Sequence, residues 1–162
     1  MRTARLTLRP PRLADSTPLF AFMGDPSVMA LTHCHASPRA FRRYLAAHRC
    51  LGARIGFAPW TVIETATGRI IGFGGLYDDL FDPGYGLEVA YFFDRPAQGH
   101  GFGLELVTHA LATAWAGHAP LVSAFAHPDN TASRHVLDRA GFTLDRYVPE
   151  MTRFLYTHPR PA

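Results

Sequence analysis

The sequence predicts one α/β domain with a mostly antiparallel sheet and a strand-helix-strand-helix segment in its second half. Three observations carry this expectation. A length of 162 residues gives room for one core and not for two, so residues 1–162 are read as a single domain. Hydrophobic residues make up 48% of the chain and charged residues 18%, a balance that suits a folded, soluble protein. Runs of β-rich alternation are also interleaved with apolar residues at helical spacing.

Leu6 and Leu8 alternate with Thr7 and Arg9, an opening strand ended by Pro10 and Pro11. Asp15 is placed to cap a short helix through Phe22, broken at Gly24-Asp25-Pro26. Ser37-Pro38 opens a second helix, with Phe41, Tyr44, Leu45 and His48 on one face. Pro59 to Glu64 and Arg69 to Tyr77, joined by a turn at Thr67-Gly68, form an antiparallel hairpin. A loop rich in Asp, Gly and Pro runs from Asp78 to Gly86, and Leu87 to Phe93 adds a third strand. Gly101 to Ala116 reads as a helix striped by Leu104, Val107, Leu111 and Ala114, and Leu121 to Phe125 as a central strand. A helix over Asn130–Ala140 turns Val136, Leu137 and Ala140 inward and ends at Gly141. Phe142 to Val148 and Met151 to Thr157 pair as a last hairpin.

Composition excludes several chemistries. All 16 basic residues are arginine. Without lysine there is no P-loop and no Schiff-base catalysis, pyridoxal enzymes included. No apolar run reaches the ~20 residues of a membrane helix. The start alternates as no signal peptide does, and two cysteines, Cys34 and Cys50, build no disulfide scaffold; the expected home is the cytoplasm. Charge is uneven. Residues 1–56 hold nine arginines against Asp15 and Asp25, whereas residues 57–162 hold seven against eleven acids. The basic third reads as a solvated helix face, since no aromatic-interleaved run or zinc-finger spacing points to nucleic acid.

The segment Gln98-Gly-His-Gly-Phe-Gly103 lies between a strand and a helix. Glycines there let backbone amides approach an anion, and the helix N-terminus adds partial positive charge. A dinucleotide fingerprint fails on two counts: its third glycine would fall at Leu104, and no acid lies between Glu105 and Asp129. A pyrophosphate cradle outside a nucleotide fold is left, beside the plainer reading of a tight turn.

Further on comes His127-Pro-Asp-Asn-Thr-Ala-Ser133, followed by Leu137 and Gly141-Phe142. With Gln98, Gly101 and Gly103 these residues make the chain resemble the GNAT acyltransferase superfamily. The run Gly99-His-Gly-Phe-Gly-Leu-Glu105, together with Pro128, Asn130, Ser133, Leu137, Gly141 and Phe142, resembles the branch of ribosomal-protein N-terminal acetyltransferases. Arg5-Leu-Thr-Leu-Arg9-Pro and the Trp60, Ile71-Gly72, Gly75-Leu76 pattern extend the likeness over nearly the whole chain.

The resemblance implies a three-layer fold of about four helices around a twisted sheet, with a V-shaped splay between two strands. Acetyl-CoA would be the acyl donor, with no metal. The backbone of Tyr91, Phe92 and Phe93 would pair with pantetheine, and a backbone amide there would meet charge on the carbonyl oxygen. Amides of Gln98, Gly99, His100, Gly101, Phe102 and Gly103 would hold the pyrophosphate, with Asn130 and Ser133 beside the pantetheine arm and thioester. The acceptor would be a primary amine, a protein N-terminus or a small cationic amine, attacking directly in a ternary complex.

An ammonium must lose a proton before it attacks, and Glu88 is the candidate base, directly or through water; the alternative is a strand-edge glutamate facing solvent. Many superfamily members protonate the leaving thiolate from a helix tyrosine, whose position here is Leu137. Ser133 is the substitute expected in the nearer branch, unless its hydroxyl bonds a carbonyl of its own helix. Tyr147 is an outside candidate. Asp78, Asp79 and Asp82 would attract a cationic amine, or form an ordinary solvated loop. The rival function is a catalytically silent acyl-CoA-binding or regulatory domain. His33-Cys-His35 and His48-Arg-Cys50 match no common zinc spacing. The branch includes dimers, and the sequence leaves monomer and homodimer open.

Overall fold

The computed structural model describes residues 1–78 and 84–162. Its strands are β1 (Leu6–Arg9), β2 (Pro59–Glu64), β3 (Ile70–Asp78), β4 (Leu87–Phe93), β5 (Leu121–Ala126), β6 (Thr143–Val148) and β7 (Arg153–Pro159). Its α-helices are α1 (Ser16–Met23), α2 (Pro38–Ile55), α3 (Phe102–Ala116) and α4 (Thr131–Arg139). One sheet runs in the order β1-β2-β3-β4-β5-β7-β6. Every neighbouring pair is antiparallel except β4 and β5, which are parallel and joined through α3.

Two cores sandwich the sheet. Phe73 and Tyr77 of β3 pack with Leu19, Phe22 and Met23 of α1 and Phe41 and Leu45 of α2, and Ala90 and Phe92 of β4 border this cluster. Val89 and Phe93 belong to the opposite core, with Leu106, Val107 and Ala110 of α3 and Leu137 of α4. Alternation along β4 therefore assigns Glu88, Ala90 and Phe92 to the α1/α2 face, and Val89, Tyr91 and Phe93 to the α3/α4 face.

The expected elements form at close to their expected bounds, with two corrections. Asp15 stands at the start of α1 but makes no side-chain cap. Its carboxylate instead accepts from both terminal nitrogens of Arg9 at 2.6 and 2.7 Å, from the Arg12 amide and from Thr61 Oγ1. Buried at this junction, it joins β1 to β2, because a carboxylate out of water needs several donors. The second correction concerns α3. Leu104 is only half-buried, and the core face runs through Phe102, Leu106, Ala110 and Ala114 as well as Val107 and Leu111. A helix lying flat on a sheet buries a wider face than a single stripe.

α2 is capped as its sequence requires. The Ser37 hydroxyl accepts from the Ala40 amide, Pro38 follows at the first turn, and Gly56 closes the helix in the left-handed conformation. The final hairpin pairs Thr143 with Thr157 and Val148 with Arg153.

Candidate functional site

Among the described residues the parallel strands β4 and β5 pair at one position, Glu88 with Ser123. Beyond it they part. The outer edge of β4 stays paired with β3 from Leu87 to Phe93, and β5 stays paired with β7 from Leu121 to Ala126. The two strands thus diverge toward their C-terminal ends and leave the β4 edge from Val89 to Phe93 without a β5 partner. Such an edge can accept an extended ligand as a further strand. The Ser123 hydroxyl donates to the carbonyl of Tyr85 at 3.0 Å, anchoring the chain just before the fork.

The glycine segment sits at the wide end of this opening. Gly99 and Gly101 have φ of +80° and +79°, conformations that side chains rarely adopt, so the loop requires glycine there. No side chain caps α3, and its first-turn amides begin at Phe102 and Gly103. The Phe102 ring is buried in the core, so this residue has only its backbone to offer a ligand. The Gln98 side chain turns back and donates to the Phe93 carbonyl at 3.0 Å, tying loop to strand. His100 is exposed.

Arg5 holds the loop from behind. Its Nη1 donates to the His100 carbonyl at 2.8 Å, its Nε to Glu105 at 2.8 Å, and its guanidinium lies 4.7 Å from the Phe102 ring centre. Glu105 also accepts from the Arg5 amide and the Thr3 hydroxyl. Burial pushes the Glu105 carboxyl up, but these donors outweigh it and hold the group below its ordinary range. The sequence placed Arg5 and Glu105 in motifs without assigning either a task; the signal that could have paired them is an acid in the first turn after the glycine loop.

On the other wall, Asn130 caps α4 by accepting from the Ser133 amide at 3.0 Å. The Ser133 hydroxyl lies 3.0 Å from the Tyr91 hydroxyl, which is also 3.2 Å from the Ser133 carbonyl. Burial first, offset in part by the bond to Ser133, pushes the Tyr91 hydroxyl up to about 12. Arg134 braces the same turn through the Pro128 carbonyl and the Tyr156 hydroxyl. The sequence treated Tyr91 as backbone alone; β4 alternation, which turns its side chain toward α3 and α4, is the signal for the rest. Leu137 is 1% exposed and packs in the core.

Glu88 lies half-buried on the opposite face, directly across from Tyr77. Beyond Tyr77 a series of rings leads outward: His48 at 5.1 Å, Tyr44 at 4.3 Å from His48, His35 at 4.6 Å from Tyr44, and exposed His33 at 5.1 Å from His35. Burial, then the neighbouring His33 and His48, lowers His35 to about 4. Asp78 ends β3 and is exposed. Asp79 and Asp82 lie outside the described residues. Tyr147 is exposed on β6 against Phe154. Among the described residues no His, Cys, Asp and Glu group is placed to hold a metal, and no helix is long and apolar enough to cross a membrane.

A protein-family model described as acetyltransferase (GNAT) domain matches residues 5–143. No curated protein matches by sequence. Among solved structures, an acetyltransferase from Agrobacterium tumefaciens superposes with a TM-score of 0.84 at 23% identity, over 99% of this chain and 94% of its own. A ribosomal-protein-S5-alanine acetyltransferase from Vibrio fischeri gives 0.78 at 17% identity over 98% and 95%. The yncA protein of Salmonella typhimurium, solved with its cofactor acetyl-CoA, gives 0.74 at 17% over 96% and 94%. At these identities the structures establish a shared fold.

Proposed function

Because the chain belongs to the GNAT acetyltransferase family, we propose that it transfers the acetyl group of acetyl-CoA directly to a primary amine. The observation that carries this reading is the fork after Glu88 and Ser123, which leaves an open strand edge running toward an uncapped helix N-terminus. Acetyl-CoA supplies a reactive thioester. Extended pantetheine suits the β4 edge at Tyr91, Phe92 and Phe93, and the amides from Gln98 to Gly103 suit its pyrophosphate. The Phe93 carbonyl already takes the Gln98 side chain, so pairing there uses its second lone pair or starts at the residues before it.

Alternation along β4 supports a division of labour across the sheet. Glu88, on the α1/α2 face, takes the proton that an ammonium must lose before its lone pair can attack. Ser133, on the α3/α4 face, offers its hydroxyl to the departing sulfur; Asn130 acts here as a helix cap that fixes the serine. The acceptor is a cationic amine, either a protein N-terminus or a small molecule. Charge on Asp78, with Asp79 and Asp82 in the sequence, favours its approach.

Thermal melting with saturating acetyl-CoA, with NADH as comparator, is the first test. At a hundred times its Kd a ligand adds about 2.7 kcal/mol, a rise of a few degrees for a chain of this size. A shift with acetyl-CoA alone, followed by thiol release with amines or N-terminal peptides, is expected. No shift by a folded protein removes the reading; a shift without turnover across the amine panel identifies a silent acyl-CoA-binding domain instead.

A further inference from the structure

We propose that Tyr91 is a positioning residue for the leaving sulfur: its hydroxyl donates to Ser133 Oγ and so turns the serine O–H toward the departing thiolate. The inference rests on the reading given above that the thioester lies beside Ser133.

A serine in the first turns of a helix ordinarily turns its proton back to a carbonyl of its own helix. Here a second hydroxyl competes. The Tyr91 oxygen lies 3.0 Å from Ser133 Oγ and 3.2 Å from the Ser133 carbonyl. Its one proton serves either acceptor. When it goes to Oγ, the serine's own proton is free to point into the opening. The remainder of Ser133 is fixed, since its amide donates to Asn130 and Arg134 locks the same turn to Pro128 and Tyr156. The Tyr91 ring is set by its surroundings as well, packed on the α3/α4 core beside Gly103 of α3. Leu137, one turn further along, has no proton to give and lies in the core.

In the transfer, the amine nitrogen bonds to the acetyl carbon and the C–S bond breaks with its electron pair on sulfur. Of the two protons an ammonium sheds on becoming an amide, Glu88 takes the first before attack, and the second leaves the nitrogen for water once the C–N bond has formed. The Tyr91–Ser133 pair donates a hydrogen bond to the thiolate and surrenders no proton. That fits a phenol held at about 12 facing a thiol near ~8.5, because the tyrosine stays protonated as the sulfur leaves.

A double-mutant cycle on the full chain tests this. Tyr91→Phe keeps the ring and is expected to lower kcat about tenfold, the scale of one hydrogen bond to a charged atom, with the KM for acetyl-CoA unchanged. In a Ser133→Ala background the same change is expected to cost nothing further. Equal losses in both backgrounds, or none in the native background, overturn the proposal. If Ser133→Ala alone is silent in an active enzyme, the thioester does not lie at Ser133, and that failure is separate from a silent Tyr91→Phe beside a costly Ser133→Ala. A binding measurement needs no turnover and no variant. CoA affinity relative to S-methyl-CoA is expected to rise about tenfold from about pH 7 to about pH 9, as the bound thiol ionises against the pair. Tyr91→Phe is expected to reduce that rise. A flat ratio in the native protein overturns the proposal.

Discussion

The two faces of β4 are built differently. On the α3/α4 face, the groups assigned to the cofactor are fixed by hydrogen bonds that cross between elements: Arg5 to the loop, Gln98 to β4, Tyr91 to Ser133. Each has a length and a direction. On the α1/α2 face, Glu88 lies across from Tyr77, from which a series of ring contacts runs through His48 and Tyr44 to His35. On the proposed reading, the first face serves the invariant cofactor and the second the amine. The contrast predicts that substitutions on the first face change acetyl-CoA binding or thiol departure, and substitutions on the second change the amine.

The largest expected effect is at Glu88. Glu88→Gln removes the proposed proton acceptor and keeps the shape, so kcat for amine acetylation is expected to fall about a hundredfold or more. The KM for acetyl-CoA should hold, and part of the loss should return at alkaline pH as more amine arrives unprotonated. If instead the variant binds acetyl-CoA poorly with kcat intact, Glu88 belongs to the cofactor face and the division fails.

Arg5 comes next. Arg5→Ala removes the brace on the His100 carbonyl and leaves Glu105 with fewer donors. A several-fold rise in the KM for acetyl-CoA and a loss of about 1–2 kcal/mol of stability are expected, with the amine KM unchanged. Steady-state kinetics with each substrate varied in turn will separate the two.

Motif chemistry is where the sequence was most legible. The glycine loop, the Ser37-Pro38 helix start and the Gly141 stop are local devices, each written in a few neighbouring residues. The two hairpins and the strand-helix-strand-helix segment also followed from alternation and loop length. What stayed hidden joins distant positions. Arg5 meets Glu105 across 100 residues and Tyr91 meets Ser133 across 42, and no periodicity encodes such pairs. The Asp15 correction has the same origin: a capping residue by local rule found stronger donors in Arg9 and Thr61.

The pH response sharpens the comparison from the ring-packed side. His35 titrates at about 4 in the folded chain against 6.5 for the ordinary group, so between those values the unfolded chain binds the extra proton. Stability is therefore complete above pH 6.5 and drains as pH falls toward about 4. Asp15 and Glu105, held below 3.8 and 4.5, add their own losses as pH falls through those ordinary values. Denaturant melts at about pH 7 and about pH 5 should show a smaller difference for His35→Phe than for the native chain. His109, also lowered by burial, leaves a residual slope. An unchanged difference would mean that the imidazole is hydrated and the ring cluster open.

The smallest effect concerns the acidic segment. Asp78 is exposed, so any attraction it exerts on a cationic amine is screened and acts mainly on encounter. Replacing Asp78, Asp79 and Asp82 together by asparagine is expected to raise the KM for a cationic amine about two- to threefold in low salt and to leave kcat alone. At ~0.5 M salt the native chain and the variant should converge, because the Debye length has then shrunk below the distance over which steering acts. Acetyl-CoA gives the internal control. On the proposed reading it lies along the β4 edge toward α3 and is itself an anion, so losing these carboxylates should leave its KM unchanged or slightly lower. A rise in both KM values would mean that the segment supports the fold around β4, and the two faces would then not act separately.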